Sequence, residues 1–273
     1  MKEGIIVVNH GTLNHEVRLR CIEEFVLAIG DRLEDAEIMF VYTDGDIRRK
    51  LREETGEKVQ NLKAAILGMK EKGVTHLTVV TTDVIAGEDY ERLKDDTVAL
   101  ATLFPVTNIS KPLLHAETDY DITARAINAV FGDLVGGDVL MLIAGGKKVR
   151  PAADELDIWA EPEKDHLKEL EKAIRKNIPR TYISTLNGEK KPYKVIRELA
   201  GEAGSQEGAG RIVLIPLEYL AGDGIENEVS REYDAVADRL EAEGYTVERS
   251  FTGLAEYDDF QRLYMRHLYE ARR

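Results

Sequence analysis

The sequence predicts an α/β protein of two similar lobes, each a parallel sheet flanked by helices, with a cleft between them. Three observations carry that reading. Short runs rich in branched apolar residues alternate with longer stretches of helical periodicity along the whole chain, the pattern of parallel strands joined by crossover helices. The third of those runs, His76–Ile85, is almost continuously apolar or β-branched, as a strand covered on both faces must be. Strand-end motifs also recur at a fixed interval: Gly145-Gly146 stands 135 positions after His10-Gly11, and Leu220-Ala221-Gly222 stands 135 after Ile85-Ala86-Gly87. A duplicated lobe reads this way.

Taken in order, Gly4–Asn9 is the first strand, followed after Gly11-Thr12 by a helix near Asn14–Arg32 whose Val17, Ile22, Phe25, Val26 and Ile29 share one side. Glu37–Tyr42 is a second strand, and Asn61–Lys72 a helix closed by Gly73. After the third strand, Glu88–Phe104 reads as helix, Thr107–Leu114 as extended chain and Tyr120–Phe131 as helix. The pattern then restarts, with strands at Val139–Ala144, Thr181–Leu186, Arg211–Leu220 and Tyr245–Phe251. Helices fall near Glu163–Lys176, Tyr193–Ala203, Asn227–Glu243 and Asp258–Arg272. The expected lobes are residues 1–135 and 136–273.

Composition narrows the function classes. A single cysteine excludes an internal disulfide or a thiolate metal cage. The net charge of −14 argues against a nucleic-acid binder, which needs a basic face to displace counterions. It also requires that any anionic ligand be met by a local cluster of Lys and Arg. The longest apolar runs fall far short of the roughly 18 residues of a membrane span, and Met1-Lys2-Glu3-Gly4 leads directly into a strand, so a cytoplasmic, membrane-free protein is expected.

Ligands of open parallel sheets bind beyond the carboxyl ends of the strands, which directs attention to Asn9–Thr12, Tyr42–Asp46, Ala86–Tyr90, Gly145–Arg150 and Ala221–Glu228. His10, beside a glycine that keeps the backbone thin, suits a metal ligand or proton acceptor, or simply a hydrogen-bonded turn residue. Glu88 and Asp89 suit acidic ligands, or simply a helix N-terminus where carboxylates are favoured. Gly145-Gly146-Lys147-Lys148 reads as an anion-holding loop or as a solvated turn. Arg48, Arg49 and Lys50 form a second basic cluster.

Several segments together resemble a family. Val7–Thr12, Tyr42-Thr43-Asp44-Gly45-Asp46-Ile47-Arg48-Arg49-Lys50-Leu51, Ile85-Ala86-Gly87-Glu88-Asp89-Tyr90-Glu91, Lys111-Pro112-Leu113-Leu114 and Leu214-Ile215-Pro216-Leu217 with Ala221-Gly222-Asp223 resemble the anaerobic sirohydrochlorin cobaltochelatases. These are single-chain, ATP-independent class II tetrapyrrole chelatases. The resemblance implies the class II chelatase fold and insertion of Co2+, as substrate metal, into sirohydrochlorin in anaerobic cobalamin biosynthesis, a lyase reaction. It implies a tetrapyrrole as the partner molecule and leaves room for a homo-oligomer.

Carried over by position, the resemblance also exposes a departure. Where the family keeps its two metal histidines this chain has Gly145 and Gly224, and the family's acidic ligand maps to Asp89. Two expectations follow. In one, the metal site has moved to the first half, with His10, Asp89 and Glu226 as ligands and His10, Glu88 and Asp89 as the catalytic groups. In the other, Gly145 and Gly224 widen the cleft for a tetrapyrrole bound without metal insertion, as in a non-catalytic carrier. In both, Lys147, Lys148 and Arg150 meet the ligand's carboxylates, and Asp223 lies nearby.

Overall fold

A computed structural model describes residues 1–145, 165–186, 190–203, 210–220 and 228–273. Its strands build two four-stranded, fully parallel sheets. The first contains β1 (Glu3–Asn9), β2 (Glu37–Tyr42), β3 (His76–Thr81) and β4 (Val106–Ile109) in the order β2-β1-β3-β4. The second contains β5 (Val139–Ala144), β6 (Thr181–Thr185), β7 (Arg211–Pro216) and β8 (Thr246–Arg249) in the order β6-β5-β7-β8. The two topologies are the same.

The duplication extends to register. Gly4 pairs with Leu77 and Val8 with Thr81, while Val139 pairs with Ile212 and Ile143 with Pro216. Both second pairs lie 135 positions beyond the first, the interval already read from the sequence motifs. Because a one-residue slip would turn every side chain to the other face, a register shared between sheets means that the same core positions recur in both. Ile5, Ile6 and Val7 are fully buried in β1, as are Leu140, Met141 and Leu142 in β5.

Between the strands of the first sheet run a helical stretch of α1 (His15–Val17), a π-helical turn (Arg18–Glu23) and α2 (Glu24–Gly30), followed by α3 (Gly45–Thr55), α4 (Leu62–Glu71) and α5 (Glu88–Leu100). Their starts are chemically marked. Asn14 accepts from the amides of Glu16 and Val17, Asp44 from those of Asp46 and Ile47, and Asn61 from that of Ala64. Each satisfies amide hydrogens that have no partner inside the helix. Gly56, at φ +80°, ends α3 in the left-handed conformation that favours glycine. Sequence periodicity missed α3: its run Gly45–Thr55 carries seven charged residues and buries only Leu51, so the helix is set by its caps rather than by an apolar stripe.

The chain packs as two compact units, residues 1–113 with 254–273, and residues 114–253. This grouping departs at both ends from the lobes expected at 1–135 and 136–273. Helix α6 (Glu117–Val135) packs against α7 (His166–Ile174) within the second unit. Helix α10 (Asp258–Ala271), reached through a short turn at Leu254–Glu256, belongs to the first. There Arg272 grips Glu3 (Nη2 to Oε2, 2.8 Å), Arg20 meets Glu256 at 3.2 Å, and the buried His267 ring bonds the Lys111 carbonyl at 3.1 Å. Contacts separated by more than 150 positions leave no trace in local periodicity.

The second unit is completed by α8 (Pro192–Ala203) and α9 (Glu228–Ala242). One buried carboxylate ties its parts together. Glu171 on α7, 8% exposed, accepts from the Ile183 amide of β6 and from Lys190 Nζ, both at 2.7 Å, and pairs with Arg175 at 3.0 Å. Glu171→Ala is expected to lower the unfolding free energy by about 2–4 kcal/mol, because it strands a buried amide and removes the counter-charge of two cations. Urea denaturation reads this directly, and a loss under about 0.5 kcal/mol would reduce the network to a surface feature.

Candidate functional site

The carboxyl edge of the first sheet is organised by Asn9, the last residue of β1 and only 3% exposed. Its amide nitrogen donates to Thr82 Oγ1 at 2.9 Å, and its amide oxygen accepts from the Gly11 N–H at 2.9 Å. Thr82, just past β3, in turn donates to the Val8 carbonyl at 3.1 Å. The loops leaving β1 and β3 are thereby joined, and the turn carrying His10 is held from below. Gly11 is obligatory in this turn. It has φ +119°, and a Cβ there would lie 2.9 Å from the Tyr42 ring.

His10 stands on this edge with its side chain 66% exposed and Nε2 3.6 Å from Asp44 Oδ2. The other oxygen of Asp44 caps α3, and its amide donates to the His10 carbonyl at 3.1 Å, so imidazole and carboxylate are fixed on facing loops. In water at this exposure the pair contributes little to stability. Its interest is chemical: an open imidazole beside an oriented carboxylate is a donor set suited to a divalent metal or a proton.

Other histidines are engaged in structural contacts. Arg18 donates to His15 Nδ1 at 2.7 Å, which holds that ring as the neutral Nε2–H tautomer. His267 donates from Nδ1 to the Lys111 carbonyl while Arg266 Nη2 lies 3.0 Å from Nε2, the opposite neutral tautomer. His166 Nδ1 lies 2.7 Å from the Tyr120 hydroxyl.

Glu88 and Asp89 open α5, whose N-cap is Gly87, with Arg92 3.0 Å from Glu88 and 3.8 Å from Asp89. They therefore act in the structure as first-turn carboxylates neutralised along their own helix. Tyr90 locks this turn from beneath, donating to the Ser110 carbonyl at 3.2 Å, and burial pushes its hydroxyl pKa up to about 12. Among the described residues, no group of three or more His, Cys, Asp or Glu side chains stands close enough to hold a metal. Glu226, Gly224, Asp223, Lys147, Lys148 and Arg150 lie outside the described residues.

The basic cluster expected at 48–50 is divided, with Arg48 folded back onto its own loop and Arg49 and Lys50 on the surface. Arg48 donates to the carbonyls of Tyr42 and Thr43, the latter at 2.9 Å, and Arg49 pairs with Asp46 at 3.0 Å. Gly145, the second-unit counterpart of His10, donates its N–H to Glu218 Oε1, and a Cβ at Gly145 would meet that oxygen at 2.9 Å. The space expected there as a widening is thus occupied by a carboxylate.

Sequence reasoning passed over Asp83. It follows β3, accepts from Thr81 Oγ1 at 2.7 Å, and its carbonyl takes the Leu113 amide at 2.9 Å. Desolvation pushes its carboxyl pKa up to about 6; Asp89 adds to the rise, while the Thr81 hydroxyl and His10 oppose it. A carboxylate that titrates near neutrality under the influence of His10 and Asp89 is a functional candidate in its own right. One signal was available: Glu218 stands 135 positions later, so both halves place an acid two residues after the third strand.

Two parallel sheets of the same 2-1-3-4 order, flanked by helices, match the class II chelatase fold of solved structures. A structure of SirB from Bacillus subtilis with Fe3+ superimposes with a TM-score of 0.67 at 13% identity, over 99% of this chain and 96% of that one. The structure of CbiX, the terminal enzyme for biosynthesis of siroheme in denitrifying bacteria, gives 0.54 at 11% identity, over 98% and 99%.

The chain belongs to the cobalt chelatase (CbiK) family, whose model matches residues 3–273. It is 22% identical over 272 residues to the sirohydrochlorin cobaltochelatase of Salmonella typhimurium, covering 99% of this chain and 97% of that protein. It is 24% identical over 275 residues to the sirohydrochlorin cobaltochelatase CbiKC of Nitratidesulfovibrio vulgaris, covering 99% and 90%. At family level this assigns chelatase-type tetrapyrrole–metal function. No helix among the described residues is long and apolar enough to cross a membrane.

Asp83→Asn is expected to stabilise the protein near pH 7 by about 1–3 kcal/mol. The sign follows from burial: the folded carboxyl takes up its proton near pH 6 and the unfolded one near 3.8, so its contribution is favourable at low pH and is lost as pH rises through about 6. Thermal unfolding from pH 4 to 8 should show the variant's advantage growing with pH. A variant that gains nothing at pH 7 would mean the carboxyl is well solvated.

Proposed function

We propose that this chain inserts Co2+ into sirohydrochlorin, as its relatives' names describe for them, with the metal-handling groups in the first unit rather than at the family's histidine positions. The observation that carries the proposal is the contrast between the two strand ends. His10 offers an open imidazole facing Asp44, whereas its counterpart Gly145 has no side chain and its N–H is held by Glu218. In this reading Co2+ and the macrocycle are substrates, and the chain needs no resident cofactor.

Metallation replaces two pyrrole N–H bonds by nitrogen–metal bonds and releases two protons, so the protein must present the metal and collect protons. His10, in its neutral form, ligates the incoming ion through a ring nitrogen, and Asp44 orients that ring. Asp83, with its pKa near 6, is matched to accept a proton at neutral pH. Asp89 and Glu88 serve as acidic ligands or pass the proton to solvent, which requires that Arg92 release one of them.

The test is to mix protein, sirohydrochlorin and Co2+ and follow the macrocycle's visible spectrum against the spontaneous rate. Acceleration is expected, and His10→Ala should reduce it by about 100-fold or more, the range for loss of a proton-transferring or ligating group. An unaffected His10→Ala variant would reject the first-unit site. Tight binding of sirohydrochlorin without acceleration would instead identify a non-catalytic tetrapyrrole carrier.

A further inference from the structure

The first unit carries a second concave feature, unconnected with the strand-end residues discussed above. Between α2 and α10 lies a cavity of about 950 Å3, at the upper end of the range for small-molecule pockets. All of its lining residues belong to the first unit. Ala28 and Met265 supply an apolar floor, and the Tyr269 ring, with the Arg272 guanidinium 5.6 Å from its centroid, forms one side.

Charge sets this cavity apart. Five arginines line it against two carboxylates, in a chain whose net charge is −14. Two of the five are committed to internal pairs: Arg272 is held by Glu3 at 2.8 Å, and Arg266 lies 3.6 Å from Glu270. The other three are held loosely. Arg262 is 72% exposed and stands 3.8 and 3.7 Å from Asp258 and Asp259, beyond hydrogen-bonding distance. Arg32 donates to the Ala28 carbonyl at 2.8 Å from its Nη1, and Arg273 is exposed at the end of α10. Planar guanidinium forks of this kind match carboxylate or phosphate oxygens two at a time.

We infer that the α2–α10 cavity is a binding site for a multiply charged small anion with a flat apolar body, its acid groups taken by Arg32, Arg262 and Arg273 and its ring lying over Ala28, Met265 and Tyr269. The site is independent of the metal-handling residues proposed above. A ligand with one acid group would leave most of the cationic rim unmatched. A purely ionic ligand such as inorganic phosphate would leave the apolar floor uncovered.

The experiment is calorimetric titration of the full chain with benzene-1,2,4,5-tetracarboxylate, with benzoate and inorganic phosphate as comparators. Saturable one-to-one binding of the tetracarboxylate is expected, at least tenfold tighter than either comparator and weakened severalfold between 50 and 300 mM salt. The Arg262→Ala/Arg273→Ala double variant should lose at least tenfold in affinity, and so should Arg32→Ala. These side chains are exposed, so unchanged thermal unfolding will confirm that the fold is intact. His10→Ala should bind as the parent does, which separates this site from the proposed chelatase site. No saturable binding, equal binding by all arginine variants, or loss of binding in His10→Ala would overturn the inference. So would a stable dimer in light scattering that dissociates in the Arg262→Ala/Arg273→Ala variant, since a second copy would then be the occupant.

Discussion

The buried side-chain amide of Asn9 is the interaction on which the carboxyl edge of the first sheet depends. A parallel strand buried on both faces ends abruptly, and its last backbone groups need partners as the chain turns outward. Asn9 meets that need in both directions at once, donating to Thr82 and accepting from Gly11. The loops after β1 and β3 thus have a common anchor, and Asp44 joins them through the His10 carbonyl. His10 is exposed, but the backbone beneath it is tightly determined.

The second unit reaches a similar edge by different chemistry. Thr82 and Leu217, 135 positions apart, donate their amides to Val8 and Ile143, which are 135 positions apart as well. This backbone bond is therefore repeated in both units. The side chains upon it are not: Asn9 is replaced by Ala144, His10 by Gly145 and Asp83 by Glu218. With the longer acid, the carboxylate reaches the Gly145 amide directly. Divergence of the two units is concentrated at the strand ends, where ligands of parallel sheets bind, while the strand interiors keep their apolar pattern.

Asp83 shows what such an edge costs. Placing a carboxyl where burial disfavours its charge costs stability at neutral pH, and a neutral isostere would pack as well. The residue shares its surroundings with His10 and Asp89, whose charges act on it in opposite directions. Such an arrangement suits the exchange of protons for a metal, the reaction type of the family to which the chain belongs.

Much of this was legible from the residues. Seven of the eight strands among the described residues follow from short runs of apolar and β-branched residues, β4 being legible only as extended chain, and the 135-residue interval announced two equivalent sheets before any register was known. The place of His10 at the end of the first strand was legible from the glycine that follows it; its partner was not. Helix α3 was not, for its caps rather than its hydrophobicity define it, and neither was the membership of α10 in the first unit, which rests on Arg272 meeting Glu3 across nearly the whole chain. The sequence by itself determined strand identity, order of elements and duplication, because these depend on local periodicity. Only the tertiary structure decided that Asp44 is His10's partner, that Asp83 is desolvated and that Glu218 closes over Gly145, because proximity and burial are properties of the packed chain.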